Sequence, residues 1–321
     1  MRNNIVAILF LVTIFCVTAC RQRVAKENTP SEATATAQNE VTRIRKFIPA
    51  LPPSTLNPEE HRAYMVEHYW DKFDFSDTLF IAEVDTSHMA TAFAIYATGY
   101  VPDSLAHSAM SRLMQKASAS RKMFDYFMTL SEMVLHDPNS PLRDDERYIP
   151  VLEAAVASPL YDEYERMPYE YDLKVAMQNR VGYKANDFVY TLSSERSARM
   201  YNVKAEYLLI FISNPGCPMC RDIREQLMAS PLLNELSERG KFKVLVIYPD
   251  KDLEAWREHL GDYPLSWINA YDKGGVITEQ NLYDLKAIPA LYLLNKDKVV
   301  MAKDCTDVEY IEHLISEAEV L

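Results

Sequence analysis

Cys217-Pro218-Met219-Cys220 stands between an unbroken apolar run at 207–213 (YLLIFIS) and a stretch with helical spacing at 221–228. No other feature constrains the chain as strongly. A run of that length suits a buried strand, Asn214-Pro215-Gly216 makes a turn, and Ile223, Leu227 and Met228 form the apolar stripe of a helix. Two cysteines separated by two residues at a helix start can meet on its first turn. Thiol–disulfide exchange needs a thiolate, which the unpaired N–H groups and the dipole of a helix N-terminus stabilise. Pro218 fits the first turn, where its missing N–H costs nothing. The pattern points to redox chemistry, with Cys217 as the exposed nucleophile and Cys220 as the partly buried resolving thiol.

Other uses of the pair fit less well. A zinc knuckle needs a second Cys or His pair, and Cys305 would complete at most three ligands. A c-type haem needs His where Arg221 stands. A permanent structural disulfide remains an alternative in an oxidising compartment. The redox reading implies neither a metal nor an organic cofactor. Cys305 lies in the loop 303–307 before the last helix and takes no part in the mechanism.

Downstream, Ser230-Pro231 kinks or restarts the helix, which runs to Gly240. A second apolar strand follows at 242–248 (FKVLVIY), then a helix at 253–260 and a short extended piece at 267–270. Ile288-Pro289 leads into a strand at 291–294, a polar turn at 295–298, a return strand at 299–303 and a closing helix at 307–319. The order β–CxxC–α–β–α–Pro–β–β–α is that of a thioredoxin fold. From about residue 181 to 321 the chain resembles membrane-tethered thiol–disulfide oxidoreductases of the TlpA/ResA type.

That resemblance implies a cis Ile288–Pro289 bond facing the CxxC pair, with Ile288 and Pro289 contacting a substrate strand. It makes Gly216, Pro218 and Met219 the variable residues of the active-site loop. It also implies protein disulfides as substrates and a membrane electron donor that restores the dithiol. Four positions depart from the family pattern. Gly216 replaces a common Trp, Phe211 occupies the place of a buried acid, and Pro218-Met219 replaces Gly-Pro. A peroxiredoxin reading fails, because Ile210 and Asn214 stand where its frame needs Pro and Thr.

Ahead of this module, residues 47–180 read as helical. Asn57-Pro58-Glu59-Glu60 combines an N-cap, a proline at the first helical position and a capping-box Glu. Further helices are expected from Asp85-Thr86, from Pro102-Asp103, and over 120–136, 149–157 and 169–181, with prolines as breaks. His61 and His68 lie seven apart and are better read as surface residues than as metal ligands. The segment YMVEHYWDKFDFSDT resembles a domain of unknown function that precedes such modules in lipoproteins of Bacteroides and relatives. The expected fold class is α+β overall, an all-α N-terminal domain (47–180) followed by an α/β thioredoxin-like domain (181–321).

The first 19 residues, with Arg2 and the apolar stretch 5–17, have signal-peptide character and are short for a membrane span. Val17-Thr18-Ala19-Cys20 resembles a bacterial lipobox, which would make Cys20 the lipidated first residue of the mature chain. A plain signal peptide or anchor with an incidental Cys20 is the other reading. Residues 20–46 are polar and rich in Ala, Thr, Glu and Gln, as suits a flexible tether. No acidic run follows Cys20, which favours a periplasm-facing, lipid-anchored place in the cell envelope. A net charge of −12 without a basic block outside the N-terminal region argues against nucleic acid as a partner. The leading reading is a tethered envelope reductant of protein disulfides. The alternative is a non-enzymatic envelope lipoprotein whose helical domain binds a partner and whose thioredoxin-like module is a scaffold.

Overall fold

Helix α1 (Pro58–His68) shows how local sequence sets the first half of the molecule. In the computed structural model, which describes residues 45–320, the Asn57 side chain accepts the Glu59 and Glu60 N–H groups, each at 3.0 Å. The Glu60 carboxylate accepts the Asn57 N–H in return and closes the capping box. The signal segment, Cys20 and residues 20–44 of the tether lie outside the described residues.

Six helices follow: α2 (Phe80–Glu83), α3 (Thr86–Ala94), α4 (Asp103–Ala117), α5 (Arg121–Leu135), α6 (Asp145–Ala157) and α7 (Glu163–Ala176). A π-turn over Ile95–Tyr100 extends α3. They enclose a core rich in aromatic rings, including Trp70, Phe73, Phe93, Phe124 and Phe127.

Two helices begin earlier than expected. Sequence reasoning starts them at Ile149, just before Pro150, and at Tyr169, just after Pro168, whereas α6 and α7 begin at Asp145 and Glu163 with both prolines deeper inside. Asp144 accepts the Arg147 N–H, and Asp162 closes a capping box with Glu165. Each proline falls in the second turn, where it removes one intrahelical hydrogen bond. The caps offset that loss, together with burial of Ile149, Val151, Leu152 and Ala155 in α6.

The second half is a mixed sheet. Its elements are β1 (Val189–Leu192), β2 (Ser197–Arg199), β3 (Tyr207–Ile212), α8 (Pro218–Ala229), α9 (Pro231–Glu238), β4 (Phe242–Tyr248), α10 (Leu253–Glu258), β5 (Ile268–Tyr271), β6 (Ala290–Asn295), β7 (Val300–Cys305) and α11 (Val308–Val320). The strand order is β2-β1-β5-β4-β3-β6-β7. β3, β4 and β5 run parallel, and β6 is antiparallel to β3. The β1–β2 hairpin, joined antiparallel to β5, is an element that sequence reasoning did not anticipate.

Every residue of β3 is buried, because both faces of the sheet are covered. Leu209 and Phe211 pack with α8, α9 and α11 through Ile223, Leu227, Leu233 and Ile311. Leu208, Ile210 and Ile212 face the opposite layer with Phe188, Met200 and Tyr283. Ile212 pairs with Ala290. This register sets Pro289 beside the end of the strand that leads through the turn to Cys217.

The described residues form one unit, and buried charges join its halves. Lys286 Nζ lies 2.9 Å from both Asp145 and Asp284. Lys303 Nζ lies 2.7 Å from Asp145 and donates to the Ala176 carbonyl at 2.7 Å. Arg143 meets the Asp304 carboxylate at 2.9 Å and its carbonyl at 2.7 Å. Burial alone would raise the Asp145 carboxyl, but Lys303 and Lys286 hold it down to about 2.

Candidate active site

The turn at 214–216 ends on Gly216 with φ +76°, a conformation that side chains disfavour. A Cβ there would meet nothing within 4 Å, so backbone freedom rather than space calls for glycine. Cys217 is then the N-cap of α8 and Pro218 its first residue. The Cys217 sulfur accepts the Cys220 N–H at 3.2 Å, so an otherwise unpaired donor of the first turn points at the sulfur. A thiolate at that position strengthens this hydrogen bond.

Cys217 is half-buried and Cys220, at 3% exposure, lies beneath it. Neither is in a disulfide. Burial pushes the Cys220 thiol well above its ordinary value and hydrogen bonding with Cys217 adds to this, against the opposing effects of the Asn214 backbone and the Ser213 side chain. Met219 projects outward at 57% exposure.

Opposite the thiols, the Ile288–Pro289 bond is cis. The Ile288 carbonyl oxygen faces the Cys217 sulfur at 3.9 Å. Ile288 is half-buried and Pro289 buried. Cys217, Cys220, Ile288 and Pro289 are thus brought together, with Gly216, Pro218 and Met219 shaping the rim, while Cys20 lies outside the described residues. Cys305 ends β7, where its sulfur accepts the Asp307 N–H at 3.2 Å and burial raises its pKa.

Two residues escaped sequence reasoning. Ser213 follows β3 directly, and its hydroxyl lies 2.9 Å from that of Tyr263. A polar residue closing the run YLLIFI was a visible signal for Ser213. Nothing in the sequence singles out Tyr263.

Two families match the chain: Domain of unknown function (DUF5106) over residues 19–179 and Thioredoxin-like over residues 205–300. A thioredoxin-like protein from Bacteroides caccae is similar over 84% of this chain and 98% of its own, at 42% identity and a TM-score of 0.79. The chain belongs to this thioredoxin-like family.

The family architecture is a helical region followed by a thioredoxin-like α/β module. The C-terminal domain of an uncharacterized protein from Bacteroides fragilis is 48% identical over 43% of this chain and 98% of its own, with a TM-score of 0.41. The thioredoxin domain of a thiol-disulfide oxidoreductase from Bacteroides vulgatus is 17% identical over 43% of this chain and 96% of its own, with a TM-score of 0.38. No curated protein matches the sequence.

Proposed function

We propose that the protein is an envelope thiol–disulfide oxidoreductase, tethered through a lipidated Cys20, that reduces protein disulfides with Cys217 and Cys220. The observation that carries this reading is the N-cap position of Cys217. A half-buried sulfur accepts a helix N–H, a buried partner thiol lies behind it, and the Ile288 carbonyl ahead of the cis proline stands in front.

In this reading the Cys217 thiolate attacks one sulfur of a substrate disulfide and expels the other. The substrate chain lies along the Ile288 backbone in extended form. Cys220 then attacks Cys217, releasing the second substrate sulfur and leaving a Cys217–Cys220 disulfide. Two electrons pass from the dithiol to the substrate, and a membrane donor returns them. The direction and the periplasm-facing location rest on the sequence resemblance and on the leader.

The test is to trap the intermediate. Cys220→Ala should accumulate mixed disulfides with envelope proteins, seen as high-mass species that dithiothreitol dissolves, and Cys217→Ala should not. Equal trapping by both variants, or by neither, would contradict the reading. Metabolic labelling with a fatty acid checks the anchor, because Cys20→Ala should lose the label.

A further inference from the structure

Residues 272–289 join β5 to β6, end on Ile288 and Pro289, and contain turns and bends but no helix or strand. A segment without a ladder or helix of its own is fixed only by the ties it makes elsewhere. On the C-terminal side of Ile288 the tie is the sheet, where Ala290 pairs with Ile212 of β3. On the N-terminal side two ties come from the helical half. Asn179, just past α7 and 5% exposed, donates to the Leu282 carbonyl at 2.8 Å. Asp145, the first residue of α6, holds Lys286, two residues before Ile288. Asn186 and Tyr292 of the module add hydrogen bonds to the Leu282 and Asp284 carbonyls.

The hold on Lys286 is specific in geometry. One Asp145 oxygen lies 2.9 Å from Lys286 Nζ and the other 2.7 Å from Lys303 Nζ, while Lys286 Nζ also lies 2.9 Å from the Asp284 carboxylate. These four side chains are only 6% to 11% exposed. Taking such charges out of water costs about as much as their attraction returns, so apolar residues of the same volume would join the halves as firmly. What the charges add is direction. Lys286 must set its ammonium between two fixed carboxylates, and the chain from there to Ile288 spans at most about 7 Å.

We propose that the helical half is a working part of the active site: Asp145, acting through Lys286, sets the position of the Ile288 backbone that receives the substrate chain. The inference rests on the redox reading above, in which that backbone binds substrate. Asp145 and Lys286 are positioning residues and act through Ile288. The N-cap position of Cys217 is set separately, by β3, the turn and α8. Binding of an extended protein chain therefore depends on α6 more than the chemistry at Cys217 does.

The test compares two substrates of the full chain. Insulin offers an extended chain and is turned over with dithiothreitol as final reductant. A small nitrobenzoate disulfide offers none and is reduced in a single turnover by the prereduced protein. Asp145→Asn should raise KM for insulin about fivefold and lower kcat by less, since binding common to ground and transition states is lost. The loss on insulin should exceed the loss on the small disulfide. Amides over 284–288 should also exchange hydrogen faster than in wild type, with those of β3 unchanged. If Asp145→Asn does not fold, Lys286→Met combined with Asp284→Asn cuts the same tie and leaves Asp145 paired with Lys303, and the same pattern is expected. Equal losses on both substrates would overturn the inference while the redox reading stood, because a general folding defect acts on both. Wild-type insulin kinetics in the double variant, or unchanged exchange over 284–288, would overturn it too. A wild-type chain that reduces neither disulfide would overturn the redox reading and the inference with it.

Discussion

The helical and thioredoxin-like halves are comparably well packed and differ in what their buried polar groups are left to do. In the helical half many such groups are paired, while Trp70 Nε1, Tyr126 OH and His136 Nδ1 are buried without a hydrogen-bond partner. Arg147 alone donates to the Ala97 and Val101 carbonyls and to the carboxylates of Asp103 and Asp144. At the end of β3, the Cys217 sulfur accepts the Cys220 N–H and faces the Ile288 carbonyl, while the Ser213 and Tyr263 hydroxyls pair with each other. Packing quality does not locate function here. The candidate site is marked instead by a half-buried thiol at a helix start.

The joint between the halves offers the largest effect. Asp145 of α6 is held by Lys286 and Lys303 of the module, all three nearly buried. Removing one partner of such a group strands the others, so Asp145→Ala should cost about 3–5 kcal/mol in urea denaturation. The two halves should still unfold in one transition in the wild type. A loss below about 1 kcal/mol would show that the helical half does not brace the segment leading to Ile288.

A smaller effect isolates the active-site turn. Gly216→Ala places a side chain at φ +76° with open space around it, so it should destabilise by about 1–2 kcal/mol through the backbone alone. A neutral result would show that the turn relaxes readily to another conformation.

A third effect is a pH dependence. Burial pushes the Asp304 carboxyl up to about 7 even though Arg143 stands beside it. The folded protein therefore holds this proton more tightly than the unfolded chain does. Relative to Asp304→Asn, the wild type should gain stability as pH falls through about 7 toward 4, and lose that advantage as pH rises. Melting temperatures of both proteins across this range check the sign.

Much of the redox module was legible because its signals are local. β3 reads as an unbroken apolar run and β4 as one broken only by Lys243, Cys217 and Cys220 sit on one turn, and Pro218 marks the start of α8. The hairpin β1–β2 was not legible: its strands have four and three residues, and β2 reads Ser-Ala-Arg, with no apolar stripe to count. Pro150 and Pro168 misled because a strong Asp cap outweighs one lost hydrogen bond. The joint was invisible for another reason. Lys286 lies 141 residues from Asp145, and a charged residue in sequence carries no mark of the partner that will bury it. Tyr263 escaped for the same reason, since its contact with Ser213 spans 50 residues.

The most direct test of the central claim is a redox titration of Cys217 and Cys220 in graded thiol–disulfide buffers, read by peptide mass spectrometry. The pair should convert in one two-electron step at or below about −200 mV, and the step should vanish in Cys217→Ala and Cys220→Ala. A midpoint near about −120 mV would contradict the reducing direction. A pair that never changes state across the range would contradict the enzyme itself.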